Sequence, residues 1–281
     1  MSTGSIAPNL PPSVRVELAH AATCRLAELI GADVLVLKGP RMDPTVGFDG
    51  RASSDVDILV RPTQLTLVLD ALTAHGATAL DRFETGSPFG HSTTFFSPVW
   101  GHLDVHRFVP GVELDPAAAF ERLWADREEV RFGGIPGWQP GPAAQALVLV
   151  LHAARSGPEG RSLVDVDHAW NRATSARRAE ILELVAGVQA EVAWAAATGG
   201  LEGFRGRASY RLWRAVSREE GRLAEWRGRV AAAPTWRAKA TLLLAAPRVN
   251  VDHLAILLGR RPTRAEVAAE WRRRARLGAG E

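Results

Sequence analysis

A chain of 281 residues with 46% hydrophobic and 23% charged residues has an ordinary globular profile and is long enough for a large core and two domains. The formal net charge is only +3, so a sequence pI near 9.7 does not make nucleic acid an expected partner. Cys24 is the single cysteine, which excludes an intramolecular disulfide and a cysteine-built zinc site.

The opening residues, MSTGSIAPNLPPS, lack a charged region followed by an apolar one, so no signal peptide is expected and residues 1–12 read as a flexible tail. From Ser13, a candidate N-cap, Val16, Leu18, Ala22, Leu26 and Leu29 recur at helical spacing up to Gly31. An apolar strand then ends at Lys38-Gly39, and a second apolar strand, DVDILV, carries Asp55 and Asp57. Pro62-Thr63 open an amphipathic helix that Gly76 closes. Extended segments are expected at Ala77–Phe83, Ser92–Ser97 and His102–Phe108, a short helix at Pro116–Trp124, and a strand at Glu129–Phe132. Gly133–Pro142 is the strongest punctuation in the chain. Beyond it the pattern is helical, and the best apolar run, Ala143–Ala154, is interrupted by Gln145 and His152 and too short to cross a bilayer. The expectation is a cytoplasmic α+β protein: a mixed α/β domain over 13–134 and a helical domain over 140–281, with the active cleft between them.

Asp55 and Asp57 stand at i and i+2 of one strand, so both carboxylates leave the same face. Adjacent carboxylates repel, and a cation between them removes that cost. The later strand His102-Leu103-Asp104-Val105-His106 puts His102, Asp104 and His106 on one face, and Asp104 can complete a three-carboxylate set. Hard oxygen ligands suit Mg²⁺, with Mn²⁺ as the alternative, and such sites serve phosphoryl chemistry.

These motifs resemble the uncharacterised nucleotidyltransferase family of the nucleotidyltransferase-fold superfamily. The resemblance rests on Leu37-Lys38-Gly39, Arg51, Asp55-Val56-Asp57-Ile58-Leu59-Val60, Leu103-Asp104-Val105-His106, Leu151-His152-Ala153-Ala154 and Val164-Asp165-Val166, and covers roughly residues 30–200. It implies a nucleotidyltransferase-like mixed sheet with flanking helices, and a metal triad of Asp55, Asp57 and Asp104, with Asp104 activating the acceptor. It also implies phosphate contacts from Lys38, Gly39 and Arg51; His106, beside Asp104 on its strand, is a further candidate for nucleotide contact. The partners implied are an NTP donor and a small-molecule, sugar or peptide acceptor in a biosynthetic pathway such as natural-product assembly. Two other readings keep the fold: a tailoring transferase moving another group, such as a sugar, from a nucleotide donor, and a non-catalytic nucleotide-binding module. One departure stands out, because Pro40, Pro44, Gly47 and Gly50 interrupt the short helix that family members run after Lys-Gly.

Each candidate also has a structural explanation. Asp55 can close the Ser53-Ser54 turn, Asp104 and Lys38 can be surface residues, and His106 can be a structural hydrogen-bonding group. His152 either satisfies itself between helices or faces Asp165 in the cleft. Arg272-Arg273-Arg274 and Arg276 read as a solvated helix face, and most of the nine tryptophans as packing, with Trp100 and Trp138 as loop-borne candidates for stacking on a base.

Overall fold

Helix α1 (Pro12–Ile30) begins one residue earlier than Ser13, because Pro12 takes the first helical position, where a missing N–H costs nothing. It ends as expected at Gly31, whose φ of 65° is left-handed, and the Ala32 N–H closes the cap on the Ala27 carbonyl at 2.9 Å. The buried stripe differs from the expected leucine face: Val16, His20, Cys24 and Ala27 are buried, while Leu29 is 63% exposed. Small side chains let α1 approach the sheet closely. His20 can join them because its Nδ1 is satisfied by the Val16 carbonyl one turn back, at 2.8 Å. The computed structural model describes residues 10–47, 54–86, 89–157, 160–233, 235–245, 251, 254, 258, 260 and 262–277.

Five strands form the main sheet: β1 (Val34–Lys38), β2 (Val56–Val60), β3 (Thr78–Ala79), β4 (Ser92–Ser97) and β5 (Gly101–His106), in the order β1-β2-β5-β4-β3. The β2–β5 pair is parallel and the other pairs are antiparallel. A 3₁₀ turn at Pro62–Gln64 leads into α2 (Leu65–Ala74). The expected strand Ala77–Phe83 shortens to β3 and is followed by α3 (Phe83–Gly86). Its ladder stops because the Asp81 carboxylate, in place of a backbone carbonyl, takes the Thr94 N–H at 2.8 Å.

Helix α4 (Pro116–Ala125) is capped by Asp115, whose carboxylate accepts from the N–H groups of Ala117 and Ala118 at 3.0 and 3.2 Å. The segment Gly133–Pro142 is more than punctuation. Gly133 and Gly134, at φ 53° and 85°, make the tight turn of a hairpin between β6 (Glu128–Phe132) and β7 (Ile135–Gln139). Gly141 then caps α5 (Pro142–Ser156).

The remainder is largely helical: α6 (Arg161–Val166), a π turn at Asp167–Asn171, α7 (Ser175–Gly187), α8 (Glu191–Thr198), α9 (Tyr210–Ser217) and α10 (Arg222–Ala232). Further helices run over Trp236–Ala245 and Arg264–Leu277. The architecture is α+β. Among the described residues, no helix is long and apolar enough to cross a membrane.

Strand alternation divides the core in two. Val34, Val36, Val56, Ile58, Val60, Leu103 and Val105 pack against α1 and α2. Leu35, Leu37 and Leu59 face the other way and join α4, α5, α7, α8 and α9 in the larger cluster. Every described residue of α5 from Ala144 to Leu151 is buried, which makes it the central helix of that side.

Candidate active site

Asp57 lies on the α5 side of β2, in the one interior polar position of a fully buried strand. Parallel pairing sets it directly across from Asp104 on β5, so the two carboxylates project together. The third partner, His106, is two residues further along β5 on the same face, and its Nε2 meets Asp57 Oδ1 at 3.0 Å. One ligand atom from each of Asp57, Asp104 and His106 lies within 4.8 Å of the others.

Lys38 reaches the same carboxylate from β1, with Nζ 3.2 Å from Asp57 Oδ2. Strict alternation would send Lys38 to the α1 side with Val34 and Val36. The register slips between Val36 and Lys38, so that Lys38 pairs with Asp57 although Val36 pairs with Ile58. This β-bulge lets two successive residues, Leu37 and Lys38, line one cleft.

The neighbouring carboxylates titrate in opposite directions. Burial pushes Asp57 up, but the Lys38 ammonium and the His106 contact outweigh it and hold Asp57 well below the usual carboxylate range. Asp104 is raised by burial first and by the negative charge of Asp57 second; Asp55 adds to the rise, and the Thr94 hydroxyl, donating to Oδ1 at 2.7 Å, opposes it. One carboxylate is therefore firmly ionised and the other is disposed to take up a proton.

This donor set fits a divalent cation. Each carboxylate oxygen has two lone pairs, so the contacts from His106, Lys38 and Thr94 leave room for a metal bond. A cation would also relieve the charge crowding that raises Asp104. Asp57 and Asp104 would be the oxygen ligands, and His106, already pointing Nε2 at Asp57, would orient one of them.

Asp55 immediately precedes β2, is half-buried and lies outside this group of three, with Ser54 Oγ 3.2 Å from its Oδ1. Arg51 falls outside the described residues. Residues 40–47 form turns with no helix, in keeping with their prolines. The need for glycine at 39 has a visible cause on α1: a Cβ there would sit 2.8 Å from His20 Nε2. Asp165 is fully buried on α6, and His152 lines the cleft from α5. Trp100 and Trp138 are half-exposed; Trp138 sits on β7 rather than in a loop and carries the Arg127 guanidinium 4.7 Å above its ring.

Residues 15–199, well over half of the chain, match the model of a family described as uncharacterised nucleotidyltransferase. The chain belongs to that family. No curated protein matches it. Two solved structures are similar over 64% of this chain: the antibiotic-resistance factor ANT(2'')-Ia, at 12% identity, TM-score 0.41 and 97% of its own length, and an antigenic nucleotidyltransferase-like protein from Paracoccidioides brasiliensis, at 15%, 0.37 and 94%.

In this nucleotidyltransferase-family chain three polar residues of the site carry no motif of their own. Thr94 is placed by antiparallel pairing of β4 directly across from Asp104, and the polar alternation of Ser92 and Thr94 was the available signal. Arg155 sits three residues after His152 on α5 and donates Nη2–H to His152 Nδ1 at 3.0 Å and Nη1–H to His91 Nε2. In a chain so rich in arginine, Arg155 has nothing local to mark it. His91 is buried beside β4; burial and the adjacent Arg155 charge push it down to about 2, so it is neutral and accepts from the guanidinium.

Proposed function

We propose that this chain transfers a nucleoside monophosphate from an NTP to an acceptor oxygen and releases pyrophosphate. The observation that carries the reading is the side-by-side pair of Asp57 and Asp104, pushed to opposite protonation tendencies, beside the Lys38 ammonium.

The acceptor oxygen attacks the α-phosphorus, the bond to the bridging β-phosphate oxygen breaks, and the acceptor proton passes to Asp104. Thr94 fixes Oδ1 of Asp104 at 2.7 Å and leaves Oδ2 to face that proton. Asp57 stays ionised throughout, oriented by His106 and paired with Lys38 until the phosphates arrive. Lys38 then turns its ammonium to the phosphate oxygens, with Arg51 and the Gly39 backbone assigned to the same triphosphate. Asp57, Asp104 and Asp55 would hold Mg²⁺ or Mn²⁺, which supplies charge neutralisation on the phosphates when bound. The acceptor is a small-molecule or sugar hydroxyl or a peptide side chain of a biosynthetic pathway.

The test is incubation of the chain with Mg²⁺, α-labelled NTPs and an acceptor panel, reading both pyrophosphate and labelled product. Transfer of label that disappears in Asp57→Asn and Asp104→Asn is the expected result. NTP binding without turnover over a broad panel would overturn it in favour of a binding module. Nucleotide release with transfer of an unlabelled sugar would point to the tailoring reaction.

A further inference from the structure

Arg155 poses a question that its neighbours do not answer. Its guanidinium is partly buried between α5 and the residue that precedes β4, and its partners are the ring nitrogens of His91 and His152, which act as acceptors. Among the described residues, no carboxylate lies within ion-pair distance of it. Asp57 and Asp104 act on it only through space. A guanidinium removed from water without a counter-ion is costly, and at least three of its five N–H donors are not used by the two histidines.

The space beside it matches the missing partner. A cleft of about 320 Å³, measured out to open solvent, is lined by Lys38, His91, His106, His152 and Arg155 over an apolar floor. Its inner part is about 20 Å³, enough for one water, so any larger group sits in the outer, open part. His106 also lines the cleft; its Nε2–H donates to Asp57, so its buried and unpartnered Nδ1 is an acceptor that a water or a phosphate O–H can fill. The cleft thus presents to one volume a lysine and an arginine that has no counter-ion among the described residues.

We infer that Arg155 and Lys38 form a phosphate subsite in this cleft, with Arg155 supplying the fork of N–H donors to a phosphate or diphosphate oxyanion. Arginine suits this task because its planar donors match two oxygens of one phosphate at once. His91 and His152 are positioning residues that hold the guanidinium plane toward the cleft. The subsite joins the helical half of the chain to the sheet: Lys38 comes from β1 and Arg155 from the last turn of α5. The oxyanion is either the departing diphosphate of the NTP or a phosphate carried by the acceptor. Its place in a transfer reaction rests on the function proposed above, whereas oxyanion binding itself does not.

The experiment uses the full chain and two variants, Arg155→Gln and Arg155→Lys. Binding of inorganic phosphate, pyrophosphate and an α,β-methylene NTP with Mg²⁺ is followed by calorimetry and by shift in melting temperature. Pyrophosphate is expected to bind and stabilise the wild type, at least tenfold more weakly in Arg155→Gln, with partial recovery in Arg155→Lys. Arg155→Gln is expected to melt no lower than wild type, because an unpaired charge has been removed. An Arg155→Gln protein that binds both inorganic phosphate and pyrophosphate as wild type does assigns Arg155 to structure and overturns the proposal. Loss of both pyrophosphate and NTP analogue places the oxyanion on the donor, and loss of inorganic phosphate alone places it on the acceptor. Arg155-dependent pyrophosphate binding in a chain that binds no NTP would leave the subsite standing and sink the nucleotidyltransfer reading.

Discussion

The two faces of β2 and β5 are made from alternate residues of the same strands and differ in character. Toward α1 and α2 the strands show Val56, Ile58, Val60, Leu103 and Val105, and the polar groups on that side are satisfied locally. Toward α5 they show Asp57, Asp104 and His106, and the apolar wall of Leu35, Leu37 and Leu59 gives way to charge. The difference teaches that one strand can carry fold and chemistry together, because a period of two keeps them on separate sides. Damage to one face should therefore leave the other measurably intact.

The largest expected effect is on the α5 face. Asp57→Asn should lower nucleotide transfer by about three orders of magnitude. It should also destabilise the fold by about 3 kcal/mol, since Lys38 loses its buried counter-ion. Adding Lys38→Met should recover most of the stability and none of the activity, as read by chemical denaturation and the labelled-NTP assay.

Next in size is a break on the opposite face. A Cβ on Gly137 would meet Cys24 Sγ at 2.5 Å, and the Gly137 backbone itself needs no left-handed φ, so Gly137→Ala is a purely steric insult. It should cost about 1–3 kcal/mol, with much of that restored by Cys24→Ala, while nucleotide affinity stays unchanged.

Thr94→Val should be smaller, removing a hydrogen bond worth about 1 kcal/mol and lowering turnover a few-fold. Its sign in pH is fixed: the Thr94 hydroxyl pulls Asp104 down, so losing it raises Asp104 further. In the proposed reaction Asp104 must be ionised to accept a proton, so the acid limb of the rate profile should move to higher pH.

The smallest effect is on reactivity alone. Burial pushes the Cys24 thiol up to about 12. At pH 8 roughly one thiol in ten thousand is ionised. Iodoacetamide should barely label Cys24 in the wild type and should label it faster in Gly137→Ala, which loosens that face.

Much of this arrangement was legible in the residue order. Apolar runs marked β1 and β2 and extended segments marked β4 and β5, and the alternation of Asp104 and His106 together with Asp57 inside an apolar strand pointed to the residues that the sheet brings together. Other features depend on three-dimensional partners. The bulge at Leu37 changes which face Lys38 occupies, and nothing in Leu-Lys-Gly announces it. The buried stripe of α1 is built mainly from small residues and a self-satisfied His20, which the spacing of its leucines does not single out. The hairpin at Gly133-Gly134 hid inside a Gly- and Pro-rich run that resembles a linker. Arg155 and His91 come from segments 64 residues apart and meet only after α5 packs on the sheet.

The close approach of His20 to Gly39 has a mechanical consequence. An imidazole fills the space beside residue 39 and stands 3.4 Å from the Lys38 carbonyl, so α1 acts as a backstop behind that corner of the chain. The corner has no room to retreat when a ligand arrives. On the function proposed above, exchange of Lys38 between Asp57 and a phosphate would be a local swing of its four-carbon stem.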